Sequence, residues 1–451
     1  MILIYVKKVN PRIEYISKLI FNQLLQTEFA FSTNSSEFRK TDLPKLNYST
    51  DKFDDEFYIK PHRLMFSRAM IKPNIEPVWY EGNKYFCESS KDSDLPFDPL
   101  AASFYLVSRH EEYTETERDH LDRFHAKNSI LTKYDLLQKP VVNIWAKLLG
   151  QKLKEHYPVL QFGETPFRFI STIDIDNAWA YKNKGLLREG ASLLRSFFKH
   201  PSEFNERMQV LRGKEKDPYD TYEYIDSVFK GNEDKVKFFI LLGDYARFDK
   251  NISPHNKNYQ KLIRNIRKKY IVGIHPSFAS SKKGNRKKTG VERARLESIL
   301  GEDVRISRQH FLPLKFPKSY RRLIKSGINE DYTMGYSCMP GFRAGICTPY
   351  YFYDLEREST TNLLVVPFQI LDGTFPYYLH LSPQKALEEI TAIMSEVKKV
   401  GGTFVSVWHN ETVNDKGIWE GYQKVFEEMN RLGFEWAKEN VTHNKEEEVH
   451  I

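Results

Sequence analysis

Phe167-Arg168-Phe169-Ile170-Ser171-Thr172-Ile173-Asp174-Ile175-Asp176-Asn177 is an apolar run closed by two carboxylates. Side chains alternate along an extended chain, so Asp174 and Asp176 fall on one face at the C-terminal end of a strand. In parallel α/β units that end is where active sites are built. Two carboxylates this close raise each other's cost of ionisation unless a cation or an arginine intervenes. A second reading stays open: both residues could cap the next helix or begin a turn.

Outward from this stretch the pattern recurs. Tyr270–Ile274 runs into His275-Pro276-Ser277, Val304–Phe311 carries Arg308-Gln309-His310, and Thr403–Trp408 ends in His409-Asn410. With Phe167–Ile175, Val236–Leu242, Asp331–Met334 and Leu363–Gln369 these make about seven strand candidates, separated mostly by amphipathic segments, the pattern of a parallel α/β unit. The clearest helix spans Ser382–Val400. Ser382 caps it, Pro383 suits its first turn, Leu387, Ile390, Met394 and Val397 share one face, and Gly401-Gly402 stops it. A lone histidine at a strand end is more often structural. Asp, Asp, His, Arg, His and His at the ends of four strands converge on one pocket if the sheet is closed or strongly curved, which is the geometry of a metal hydrolase.

The chain has 451 residues, which at roughly 150 per domain suggests two or three domains. Residues 1–163 read as a separate, smaller α+β unit, 164–440 as the α/β unit, and 441–451 as a flexible acidic tail. Gly163-Glu164-Thr165-Pro166 marks the boundary after a helix around Val141–His156, and the start MILIYV reads as a first strand rather than a secretory signal. With 40% apolar and 28% charged residues, a disordered chain is excluded. No apolar run approaches the roughly 18 residues of a membrane helix. Cys87, Cys338 and Cys347 form no C-x-x-C pair, which argues against disulfides and structural zinc and for the cytoplasm. The net charge of +8 is diffuse. Its one cluster, Lys282, Lys283, Arg286, Lys287 and Lys288, reads as a solvated loop without interleaved aromatics, so nucleic acid is not an expected partner. His110, Glu111, Glu112, Asp119, His120 and His125 are ligand-type side chains, but the acidic ones look like a solvated helix face.

The order and strand-end placement of STIDID, GIHPS, RQHF and VWHN resemble the motifs of the polysaccharide deacetylases, carbohydrate esterase family four, over roughly Phe167–Leu432. The resemblance implies a distorted (β/α)7 barrel and a divalent metal, with zinc the expected ion. It implies Asp174 as general base, Asp176 and His275 as metal ligands, Arg308 as the group orienting the base, and His409 as the acid that protonates the leaving amine. The family's second motif has another histidine four residues after the first, where this chain has Ala279. His310, by spacing, is the candidate for the absent ligand. Asp331 or Asp372 would hold His409 in its working tautomer. The segment LPFDPLAASFYLVSRHEEYTETERDHLDRFH resembles an N-terminal domain that accompanies such barrels in a group of bacterial proteins.

Gly335–Gly345 and Pro349–Asp354 are rich in glycine and aromatics, as in an ordered loop at a site mouth where sugars stack. Arg343, Tyr336, Asp372 and Trp408 are the candidate substrate contacts. Alternatively the aromatics pack a long connection onto the barrel, with Arg343 paired to Asp354 or another carboxylate. The expected function is metal-dependent removal of an N-acetyl group from a polysaccharide, oligosaccharide or lipid-linked sugar. The rivals are a catalytically degenerate carbohydrate-binding protein and a metal-free glycosidase using two carboxylates.

Overall fold

The computed structural model describes residues 1–67, 73, 75–115, 117–185, 201–285 and 287–448. Arg286 of the basic cluster lies outside them. The chain opens with β1 (Ile2–Tyr5), β2 (Phe29–Ser32), β3 (Lys45–Asn47) and β4 (Phe57–Tyr58), which form one sheet in the order β2-β1-β3-β4. All three pairings are parallel. Helical crossovers at Pro11–Leu24 and Ser35–Lys40 give the length a parallel return needs. The N-terminal unit is therefore built on a small parallel sheet, where an α+β arrangement was expected. A hairpin of β5 (Val78–Tyr80) and β6 (Asn83–Tyr85) and the helix Val141–His156 complete it.

The second sheet contains β7 (Phe167–Ile175), β8 (Val236–Ile240), β9 (Ile271–Ile274), β10 (Ile306–Ser307), β11 (Glu330–Asp331), β12 (Tyr350–Asp354), β13 (Ser359–Val365), β14 (Ile370–Leu371) and β15 (Gly402–His409). Its order is β12-β13-β11-β10-β9-β8-β7-β15-β14, and every pairing is parallel except β12 with β13. This is an α/β unit as expected. The ladder does not close into a barrel among the described residues. It curls instead: Phe239 on β8, Val405 and Val407 on β15, Tyr332 just after β11, Val366 just after β13, and Phe368 share one buried cluster. Residues 366–369 cross the gap as a single chain. Val366 and Phe368 donate to Asp331 and Met334 on one side, and Gln369 pairs with Val405 through both its backbone and its side chain on the other.

The helix Pro383–Val400 forms as read, with the Ser382 hydroxyl accepting from the Lys385 amide. Gly401 follows at φ +68°, and a Cβ there would lie 1.8 Å from the Thr165 carbonyl oxygen, so no other residue fits that stop. The last helix, Tyr422–Glu448, continues through most of the stretch expected as a frayed tail. All three cysteines are free.

The aromatic stretch Tyr350–Asp354 is an edge strand rather than a site-mouth loop. It docks the N-terminal unit: Tyr15 donates to the Tyr351 carbonyl at 2.7 Å, and Tyr15 and Phe104 pack on the Tyr353 ring. Glu111 and Glu112 are buried rather than solvated, because arginines neutralise them. Arg109 reaches both carboxylates, at 2.7 and 2.9 Å, and Arg343 donates two hydrogen bonds to Glu112, at 2.9 and 2.7 Å. Asp354 pairs with Arg321 instead. Arg343 is 1% exposed, and its Nε, Nη1 and Nη2 donate to Glu112 and the Gly335 carbonyl, which places it in the buried network between the units rather than among the expected substrate contacts. One apolar core runs through both units, from Ile2 and Trp145 to Phe404 and Phe434.

Burial raises the Glu112 carboxyl pKa, but Arg343 and Arg109 outweigh it and hold it at about 2. A depressed folded-state pKa contributes stability above the unfolded value and loses it as pH falls through the folded one. Arg343→Ala leaves Glu112 charged and half-paired in the core. It is expected to cost about 3–5 kcal/mol and to flatten the loss of stability between pH 4.5 and 2, measured by denaturant unfolding across that range.

Candidate functional site

Register brings the strand ends level. Ile240 pairs with both Ile175 and Ile274, and Ile274 with Ser307, so Asp176, His275 and Arg308 each follow directly on a row of paired residues. On the other side of β7, Asp174 pairs with His409. β9 ends at Ile274, and Pro276 follows His275 in the turn. The turn beyond is held by Gln309, whose side chain donates to the carbonyls of Pro276 and Ser277 at 2.8 and 2.9 Å. After His310 the chain reverses through Phe311 and Leu312, both in the left-handed region at φ +62° and +61°. Two consecutive bulky residues there are strained backbone, the kind that persists where the surroundings over-determine it.

Asp176 is the meeting point. His275 Nε2 lies 3.2 Å from its Oδ1, and His310 Nε2 lies 3.1 Å from its Oδ2. His409 Nε2 stands 3.8 Å from that same Oδ2. The ligand atoms of Asp176, His275 and His310 all lie within 4.8 Å of one another, the one such group among the described residues. The cluster of His110, Glu111, Glu112, Asp119, His120 and His125 forms none. Each imidazole of the trio has its other nitrogen engaged: His275 Nδ1 is 2.5 Å from the Arg308 carbonyl oxygen, and His310 Nδ1 is 2.9 Å from Asp249. That anchoring directs both Nε2 atoms at Asp176, the arrangement a metal-binding histidine needs. Asp176 Oδ1 is buried without a hydrogen-bond partner, which fits a cation between it and the rings.

Charge follows from this crowding. Burial pushes the Asp176 carboxyl pKa up, but His310, His275 and His409 hold it well below the carboxylate range. Burial pushes His310 down, and Asp176 and Asp249 overcome that and raise it to about 9. The same two carboxylates that favour a proton on His310 favour a cation beside it.

Arg308 and Asp174 form the second element. Arg308 is wholly buried over the Phe239 ring; its Nη1 donates to Asp174 Oδ1 at 2.8 Å and to the Thr172 hydroxyl at 2.6 Å, and its Nε to the Tyr332 carbonyl at 3.0 Å. Asp174 Oδ2 is 3.7 Å from His275 Nε2. His409 and Asp372 form the third. His409 Nδ1 is 3.0 Å from Asp372 Oδ2, which also accepts from the His409 amide and the Thr412 hydroxyl. Burial lowers the His409 pKa, but Asp372, with Asp176 and Asp174, raises it well above the usual value.

Asp372 is therefore the carboxylate that orients His409, and Asp331 is spent on Ser307 and Thr333. Being fully buried, Asp372 cannot serve as the substrate contact that was also expected of it. Trp408 is likewise core: it is 0% exposed and packs on Phe426. Tyr336 is 4% exposed and lines a cleft with His120, His125 and Tyr378, none of them residues of this site. Two residues escaped the sequence reading. Asp249 follows no motif, yet it anchors His310 and accepts from the amides of Phe278 and Ala279 at 2.7 and 3.0 Å. Glu411, two positions after His409, has its Oε2 buried without a partner, and burial with nearby Asp176 raises its pKa to about 7.

Asp249→Asn takes away the charge that fixes the His310 ring. Zinc titrated into the protein by calorimetry is expected to bind about 10–100-fold more weakly than to the unaltered chain; equal affinity would separate Asp249 from ion binding.

Comparison with known proteins gives three findings. Residues 2–158 match the model of a family of unknown function, DUF7033. No curated protein matches the chain. Among solved structures, the chain is similar to two bacterial proteins described as polysaccharide deacetylases. One is from Mycobacterium smegmatis (14% identity, TM-score 0.39, 62% of this chain and 92% of that one), the other from Pseudomonas aeruginosa PAO1 (10% identity, TM-score 0.37, 61% and 86%). It is also similar to Puue allantoinase, at 10% identity and a TM-score of 0.38 over 61% of this chain and 86% of that one.

Proposed function

We propose that the chain is a metal-dependent hydrolase that removes an N-acetyl group from a polysaccharide, oligosaccharide or lipid-linked sugar. The observation that carries this reading is the meeting, at one rim, of the Asp176–His275–His310 trio, the Asp174–Arg308 pair and the Asp372–His409 pair. They stand in the chain order of the deacetylase motifs they resemble. In this reading the curled sheet is a distorted (β/α)7 barrel opened between β13 and β14.

Asp176, His275 and His310 would hold a divalent ion, and a set of two imidazoles and a carboxylate suits zinc. When bound, the ion would supply Lewis acidity to the acetyl carbonyl. Asp174 is the base. Arg308 holds its Oδ1, leaving Oδ2 on the side of the trio to accept a proton from the attacking water. His409 is the acid. Asp372 holds Nδ1 and favours the protonated ring, and Nε2, facing Asp176, donates to the departing sugar amine as acetate forms. Among the described residues no helix is long and apolar enough to cross a membrane.

Ala279 in place of the family's second histidine motivates the other reading, a degenerate carbohydrate-binding protein. In the first reading His310, anchored by Asp249, takes that ligand's part. Acetate release decides between them. The purified protein with zinc is expected to liberate acetate from an N-acetylated oligosaccharide. Asp174→Asn is expected to lower the rate at least about 100-fold with its zinc content kept. Zinc-loaded protein that binds such sugars without ever releasing acetate belongs to the second reading.

Asp372→Asn tests the acid. An acid must be protonated, so activity falls as pH rises through the His409 pKa, and the charge on Asp372 pushes that limb to the alkaline side. The variant is expected to lose about 100-fold or more in kcat and to shift the alkaline limb of kcat/KM toward lower pH. A lowered rate with an unmoved limb would assign the limb to another group.

A further inference from the structure

β8, β9, β10, β14 and β15 run parallel, so the segments leaving their C-terminal ends emerge on the side where Asp176, His275 and His409 meet. Lys282, Lys283, Lys287 and Lys288 leave the end of β9 in this way, and the hydrolase chemistry does not use them. Their loop is tied to the site. The Asn285 side chain donates to the Ala279 carbonyl at 2.8 Å, and the Ala279 amide donates to Asp249, the anchor of His310.

Cations outnumber carboxylates along this rim. Lys282 and Lys315 share Asp122, at 3.8 and 2.7 Å, and Lys288 and Arg295 share Asp244, at 3.4 and 2.7 Å. Lys283 and Lys287 are exposed and pair with no carboxylate among the described residues. A positive field remains that the protein itself does not balance.

The fold supplies the aromatics that the sequence does not interleave with these lysines. Phe278 packs against Phe248 and Phe311, with ring centroids 4.7 and 5.6 Å apart. Cations lie over the rings: Lys282 Nζ is 4.1 Å from the centre of Phe278, the Arg247 guanidinium 5.3 Å from that of Phe248, and Lys250 Nζ 4.7 Å from that of Tyr245. Further round the mouth, Tyr377 and Tyr378 follow β14 and Ile418 follows β15. These three and Tyr245 are between 45% and 57% exposed. The two arcs join through one turn of the N-terminal unit, where Asp122 meets the lysines and the neighbouring Arg123 donates to the Tyr378 hydroxyl at 3.4 Å.

Unbalanced lysines beside half-exposed tyrosines are the composition of a surface that rests among lipid headgroups. The cations meet anionic headgroups, and the amphipathic rings sit where the wet and apolar layers join. A soluble polyanion would use the charge alone and leave Tyr245, Tyr377 and Ile418 without a role.

We propose that this rim docks on the surface of a membrane containing anionic lipid, with the site opening toward the headgroups. The contact stands apart from the hydrolase reading. Its one consequence that rests on that reading is the choice of the lipid-linked sugar among the three substrate forms.

The test uses the full chain and sedimentation with vesicles, either of phosphatidylcholine alone or of phosphatidylcholine with an equal part of phosphatidylglycerol. The protein is expected to sediment with the anionic vesicles, to stay in solution with the neutral ones, and to be released as salt is raised. Lys283→Ala combined with Lys287→Ala is expected to weaken binding about 10- to 30-fold, from roughly 5-fold per lysine, and Lys283→Arg combined with Lys287→Arg to keep it. Tyr245→Ser combined with Ile418→Ser leaves the charge unchanged and is expected to weaken binding about 2- to 10-fold. All four positions are exposed, and an unaltered melting temperature confirms that each variant folds. No sedimentation with anionic vesicles, equal sedimentation with neutral ones, or full binding by the alanine variant would overturn the proposal. Full binding by the Tyr245 and Ile418 variant also overturns it, because the loop is then a site for soluble polyanions such as polyphosphate. Vesicle binding needs no turnover, so binding without acetate release from any sugar keeps the membrane surface and sinks the hydrolase reading, and acetate release without vesicle binding does the reverse.

Discussion

Three imidazole nitrogens face one carboxylate. His310, His275 and His409 approach Asp176 at 3.1, 3.2 and 3.8 Å, and burying so many ionisable groups together is tolerated only when each is hydrogen-bonded and charge is balanced locally. The protein meets that demand outside the cluster. The Arg308 carbonyl, Asp249 and Asp372 each take the far nitrogen of one ring, and Arg308 itself neutralises Asp174. The rings cannot turn without breaking these bonds, so the cluster is held before any ligand arrives.

The curl of the sheet follows from the same demand. Arg308 on the end of β10 reaches Asp174 on β7 across two intervening strands, which a flat sheet would not allow. Strand twist supplies part of the curvature, and the cluster of Phe239, Tyr332, Phe368 and Val407 fills the inside of the curl. The N-terminal unit then closes over one flank. Its hold is a buried network in which Glu112 lies between Arg109 and Arg343, backed by the aromatic contacts of Tyr15 and Phe104 with β12. Such a network is intolerant of losing one member, which ties the geometry of the cleft wall to the docking of the two units.

Much of this was legible in the chain. The apolar strand ending in Asp174 and Asp176, the strand ends at His275 and His409, and the capped helix Pro383–Val400 are patterns of neighbours that appear where they were read, whereas the strand read as Val304–Phe311 is only Ile306–Ser307, with Arg308 directly after it. The failures have a common cause. Glu112 looked solvated because one of its arginines, Arg343, is more than 200 residues away in sequence. The aromatics of Tyr350–Asp354 looked like sugar platforms because the rings they pack on belong to the other unit. Asp249 carried no motif because its partner, His310, is 61 positions later. Trp408 and Asp372 were placed in the substrate site from their nearness to His409, whereas alternation along the strand and the turn after β14 send both inward.

The sequence by itself determined which residue types end which strands, and therefore which side chains were available at the rim, because strand and helix periodicity is a property of a few neighbouring residues. Only the tertiary structure decided that Asp372 rather than Asp331 holds His409, that Asp249 anchors His310, and that the sheet curls without a closed ladder. Those choices depend on side-chain packing between residues 37, 61 and 134 positions apart, where burial and charge balance, rather than local backbone preference, set the partner.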